Sequence, residues 1–245
     1  MELYQNAENI AFTITFVVYI IAAVLFLIHV AGITRRVERL AMISTMIGFI
    51  FHTGAMIART VGAGRLPFSN QYEFALSFGW GIVLSFLILY RLYRFSAIGA
   101  FVMPLRILVM RYASLQSRAV RPLMPALQSH WLTFHVGTAI LSYGAFALAC
   151  GIAVIYLIDS KRSGDRRILK DPQISDMLSY RVIVFGILML SIVIISGAIW
   201  AQKAWSRYWA WDPKETWSLI TWIIYAIYLH LRLRRNWRGK AAAWF

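Results

Sequence analysis

Apolar positions along this 245-residue chain come in long unbroken runs, not in the alternation of a half-buried strand. Runs lie at about residues 10–31, 40–60, 74–93, 131–158, 180–200 and 216–232, with a shorter one at about 95–110 that contains Pro104. About twenty apolar residues match the ~30 Å hydrocarbon thickness of a bilayer. In lipid no water is available to the backbone, so each run predicts a helix that satisfies its own amides. Connectors are short except for 111–130, which contains Pro122 and Pro125, and the highly charged 159–179. There is no internal repeat and no low-complexity tract. The pattern predicts an all-α, polytopic transmembrane helical bundle of about seven spans, forming a single integral membrane domain over residues 1–245.

Composition agrees, since 60% of residues are hydrophobic and only 14% are charged. A net charge of +15 would suggest nucleic acid in a water-soluble protein. Here the basic residues flank apolar runs, which makes them orientation signals and predicts no nucleic-acid partner. If run 95–110 crosses, 16 of the 25 Lys and Arg fall on one side, among them Arg35, Arg91, Lys161, Arg166, Arg167, Lys170, Arg181 and Arg232. If it does not cross, the split becomes 12 against 13 and the bias vanishes. The positive-inside rule therefore predicts seven crossings, an outside N-terminus and an inside C-terminus. Glu2 and Glu8 replace the basic start of a secretion signal, so no cleavable leader is expected.

Six of the ten Trp residues lie between positions 200 and 222: Trp200, Trp205, Trp209, Trp211, Trp217 and Trp222. Trp favours membrane interfaces, where its ring is apolar and its N–H stays wet. An interfacial belt explains two or three such residues. The remainder suggest a flat aromatic platform for a large planar ligand, on a loop over about 200–216 that the orientation puts outside. Asp212-Pro213 in the same stretch is also a helix-start signal, so Asp212, Lys214 and Glu215 can serve simply as a cap and first-turn charges.

The chain has five His, at 29, 52, 130, 135 and 230. Imidazoles inside spans are costly and are candidates for function, although any one of them can instead bond a neighbouring helix. His135 lies at the depth of the Trp-rich loop and could ligate an iron whose porphyrin rests on the indoles. His130 is closer to water. His29 and His230 lie near inner span ends, and His52 near mid-bilayer; His29 and His52 are second-rank haem-binding candidates. Cys150 has no second thiol to pair with and is expected to pack as a small buried hydrophobe. No phosphate-binding glycine loop, G-x-S-x-G, His-Glu-x-x-His or C-x-x-C-H occurs, so no catalytic residue is assigned.

The string Trp209-Ala210-Trp211-Asp212-Pro213-Lys214-Glu215-Thr216-Trp217 resembles the WWD signature of haem-handling proteins of cytochrome c maturation. With Tyr225, Tyr228-Leu229-His230, the segment from Leu66 to Glu73 and the segment from Pro125 to Val136, it is similar to the CcsA (ResC-like) family of the CcsB/CcsA system. Together these matches cover about residues 45–240. The resemblance implies haem export and presentation in a cytochrome c synthase, with haem b as the substrate. It implies a CcsB-like membrane partner, an apocytochrome c bearing C-x-x-C-H, and a thioredoxin-like thiol reductant. The family's external His ligand maps onto His135, its transmembrane His onto His230, and its haem platform onto Trp205, Trp209, Trp211 and Asp212. The membrane implied is a bacterial inner membrane or a thylakoid, with the Trp-rich loop periplasmic or lumenal. The family carries a further span with a second external His, whereas this chain ends at Phe245, so a last span is expected to be missing. The competing readings are a haem b anchor of a quinol-linked electron-transfer complex and a haem transporter without ligation. Trp density and the Asp212–Trp217 string favour the synthase subunit.

Orientation is directly testable. A compartment reporter fused after Arg207 should report the outside, and one fused after Arg166 the inside. Swapped signals would mean that run 95–110 does not cross.

Overall fold

The computed structural model describes residues 2–32, 34–162, 168 and 171–245. Arg166, Arg167 and Lys170, used above in the charge count, lie outside the described residues. Every apolar run forms a helix: α1 (Glu2–Val30), α2 (Arg35–Ala63), α3 (Gln71–Tyr93), α4 (Gly99–Ser114), α5 (His130–Asp159), α6 (Pro172–Trp205) and α7 (Pro213–Arg234), followed by the short α8 (Lys240–Trp244). A single 3-10 turn, Pro125–Leu127, precedes α5. The described residues contain no strand. The chain is an all-helical integral membrane protein.

Five helices, α1, α2, α3, α5 and α6, are long and apolar enough to cross a membrane. The other two candidates fall short for different physical reasons. The 16 residues of α4 span about 24 Å, less than the hydrocarbon core. The 22 residues of α7 are long enough, but Lys214, Glu215, Arg232 and Arg234 reduce their hydropathy.

Local sequence explains the helix ends. Asn70, Ser129, Asp171 and Asp212 each accept a backbone N–H of the following first turn. Proline stands at the first position of α6 and α7, where no N–H is needed. α2 stops at Gly64 in the left-handed conformation.

The helices group into two compact units, α1–α4 and α5–α8. In the first unit a buried ionic cluster ties three helices together. Arg59 on α2 donates from Nε and Nη2 to Glu73 of α3 at 3.0 and 2.8 Å, and its Nη1 lies 3.6 Å from Glu8 of α1. Glu73 also accepts from Arg65 at 2.8 Å and from the Ser69 amide and hydroxyl at 2.9 and 2.8 Å. The polar loop between α2 and α3 is thereby fastened to a carboxylate at the start of α3.

Deeper in the same unit Arg106 of α4 is fully buried against Tyr19, with its Nη2 beside His52. The second unit is held by apolar packing, with Phe146 of α5 and Tyr225 of α7 stacked at 3.9 Å between ring centroids. Trp222 donates to the Ser191 hydroxyl at 2.8 Å, joining α7 to α6. Cys150, expected inside, is exposed on α5. On a lipid-facing helix the outer surface is as apolar as the core, so hydropathy does not separate the two.

Removing the Glu73 carboxylate would leave Arg59 buried without its best partner. Glu73→Ala is expected to lower stability by about 3–5 kcal/mol, measured by unfolding in detergent. The exposed Glu2→Ala should leave it unchanged.

Candidate functional site: the tryptophan loop and its histidine

His135 projects from α5 toward α6. Its Nδ1 lies 2.9 Å from the Val193 carbonyl oxygen. A carbonyl only accepts, so the bond requires a proton on Nδ1 and leaves the lone pair on Nε2. Trp200 of α6 lies beside the imidazole, nearly parallel at 21° with ring centroids 6.4 Å apart. One turn earlier on α5, Trp131 carries the Lys203 ammonium 5.6 Å over its ring.

The connection from α6 to α7 forms the Trp-rich loop. α6 ends at Ser206 in the left-handed conformation, φ 58°. The loop closes with a second left-handed residue, Trp211, also at φ 58°. A bulky side chain there strains the backbone by about 1–2 kcal/mol. Two acidic residues hold the loop. Asp212 accepts the Glu215 amide at 2.8 Å, and Glu215 reaches back to accept the Ala210 amide at 2.7 Å. This reciprocal arrangement is a variant of the capping box. Asp212 therefore fixes the loop through the backbone.

The indoles divide by environment. Trp205 and Trp211 are 56% and 69% exposed. Trp209 lies edge-on to Trp211 at 5.7 Å. The Trp209 Nε1 is buried with no hydrogen-bond partner among the described residues, an arrangement that a polar ligand group would relieve.

The remaining histidines have other surroundings. His230 is exposed near the far end of α7. Antiparallel packing sets Arg232 against Asp176 and Trp222 against Ser191. By that register His230 lies roughly 20 Å along the helix axes from His135. In the first unit, His52 bonds the Leu76 carbonyl through Nε2 at 3.1 Å. That proton leaves Nδ1 to accept from Arg106 at 3.4 Å, although Arg106 Nη2 is nearer Nε2 at 3.0 Å. Both nitrogens of His52 thus face protein groups. His29 meets Ser96 at 3.3 Å through Nε2, and its Nδ1 is buried without a partner among the described residues. His130 is exposed at the start of α5.

Sequence reading missed two contributors. Trp200 belongs to the Trp-rich stretch but carried no sign that it would lie flat against His135. The Val193 carbonyl has no sequence signature.

A family profile described as "Cytochrome C assembly protein" matches residues 68–245. The chain belongs to this family. It is 33% identical to "Cytochrome c biogenesis protein CcsA" of Guillardia theta over 271 residues, covering 99% of this chain and 88% of that one. It is 36% identical to the CcsA protein of Prochlorococcus marinus (strain NATL2A), covering 79% and 73%. Its fold is similar to "Cytochrome c Heme Lyase CcmF", with a TM-score of 0.76 at 18% identity, over 98% of this chain. The chain spans 44% of the length of that larger structure. Family membership gives this protein a role in cytochrome c assembly.

The loop caps are open to test. Asp212→Ala and Glu215→Ala should each cost about 1 kcal/mol of local stability. The readout is faster tryptic cleavage after exposed Arg207, while cleavage elsewhere is unchanged.

Proposed function

We propose that this family member holds haem b at the Trp-rich loop and presents it for thioether attachment to an apocytochrome c. The observation that carries the reading is the hydrogen bond from His135 Nδ1–H to the Val193 carbonyl. It holds the imidazole in the tautomer whose Nε2 can ligate iron, and such outer-shell bonding is usual for metal-binding His. The side chains present fit haem as a substrate. A lone pair is available at Nε2, the flat Trp200 ring adjoins it, exposed Trp205 and Trp211 can cover an apolar macrocycle, and the Trp209 N–H lacks a partner.

The chemistry assigned to the chain is positioning. His135 holds the iron, the indoles hold the ring plane, and the Asp212–Glu215 caps keep the loop from folding away. Bringing haem and two thiols together in fixed geometry replaces an improbable encounter with a local one. The thiols must arrive reduced. Cys150 is the chain's only cysteine, so a thioredoxin-like reductant is part of the proposal, as is a CcsB-like membrane partner. The loop is read as facing the periplasm or lumen, with α4 and α7 as the sixth and seventh crossings. His230 is read as a second haem contact near the inner face, with His52 and His29 in second rank.

A haem b anchor of an electron-transfer complex is less well supported. That arrangement uses His pairs at matched depth on facing helices, and His135 of α5 and His230 of α7 lie far apart along the axes.

His135→Ala should insert normally yet lose retained haem and c-type cytochrome formation, with partial recovery in added imidazole. The measurements are the Soret absorbance of the purified protein and haem staining of cells. Normal maturation without the side chain would sink the ligand assignment.

A further inference from the structure

We infer that Gly197 is a positioning residue for His135: its missing side chain opens the α6 surface on which the imidazole lies. This rests on the reading of His135 as the iron ligand. In an α-helix the carbonyl of residue 193 points along the axis toward residue 197 and accepts that residue's amide. Side chains four apart share a face, so a side chain at 197 would cover the 193 carbonyl. A glycine uncovers it, and the carbonyl, which the Ser196 hydroxyl also approaches at 3.2 Å, has room for His135 Nδ1–H at 2.9 Å.

The space left is narrow. A Cβ at Gly197 would stand 2.9 Å from His135 Cε1 and 3.1 Å from Nδ1. Neither is a flexible chain end that swings aside freely. Trp200, three residues further along α6, sets its ring nearly parallel to the imidazole at 6.4 Å between centroids. A methyl group at 197 therefore displaces the imidazole, breaks or stretches the Val193 bond, and turns Nε2 away from its set direction. The bond does more than hold the ring. Nδ1–H donation to a carbonyl raises the electron density at Nε2 and makes it a better ligand.

The effect has the opposite sign from that expected at an ordinary helix position. Alanine is the better helix former, so without the imidazole above it Gly197→Ala would be neutral or favourable. Gly137 of α5 provides the contrast, since a Cβ built there meets nothing within 4 Å.

The experiment uses the full-length protein in a strain lacking its chromosomal copy. Four forms are compared: Gly197→Ala, His135→Ala, the double variant and Gly137→Ala. Haem per protein is read from the Soret band with and without imidazole. Gly197→Ala should lose haem about tenfold or more, the usual scale for an outer-shell partner of a metal ligand. Imidazole should restore it, and membrane levels should stay normal. The double variant should be no worse than His135→Ala alone, because both changes act through one ring. Gly137→Ala should match wild type. Wild-type haem in Gly197→Ala, a double variant below His135→Ala, or a loss that imidazole repairs in His135→Ala but not in Gly197→Ala would each overturn the role of Gly197. Wild-type haem in His135→Ala would remove the ligand reading itself and this inference with it.

Discussion

In lipid every backbone amide must find its partner within its own segment, and the rest of this structure follows from that. Helices consume the backbone groups, so chemistry is left to side chains, to helix ends and to the few carbonyls that a neighbouring helix can reach. All three resources appear in the second unit. The Trp-rich loop is built on the end of α6 and the start of α7. Its rigidity comes from Asp212 and Glu215, which bond amides that the helix and loop leave free. His135 takes the third resource, a helical carbonyl that already serves its own helix. The first unit gathers the side chains of Glu8, Arg59, Arg65 and Glu73 where α1, α2 and α3 meet, and its His52 also takes a helical carbonyl, that of Leu76.

Much of the helical layout was legible because hydropathy and helix formation are the same constraint in a membrane. The Asp212-Pro213 start of α7 could be read from the residue types alone, and Asp212 does cap that helix. Hydropathy could not reveal which helices group together, because lipid-facing and helix-facing surfaces are equally apolar. Cys150 shows the same ambiguity at a single position. The shortfall of α4 and the polar ends of α7 also blur what a window average can say about crossing.

The candidate site was half legible. His135 stood out through its depth and the nearby Trp residues. What orients it could not be read, since a backbone carbonyl looks the same at every position and ring stacking depends on helix rotation. His52 illustrates the reverse case. An intramembrane histidine invites a functional reading, yet its two nitrogens are engaged by the Leu76 carbonyl and by Arg106. The polar segment after Arg65 was recognisable as a loop, but not the single carboxylate, Glu73, that gathers it.

Trp211 carries a conflict within one residue. Its backbone sits at φ 58°, where glycine would be comfortable, while its indole is largely exposed at the loop's edge. A glycine there would ease the main chain and delete the ring. On the proposed haem-holding role, thermostability and ligand holding are therefore opposed at this position, and a search for more durable variants scored only on folding would tend to erase the aromatic edge of the loop.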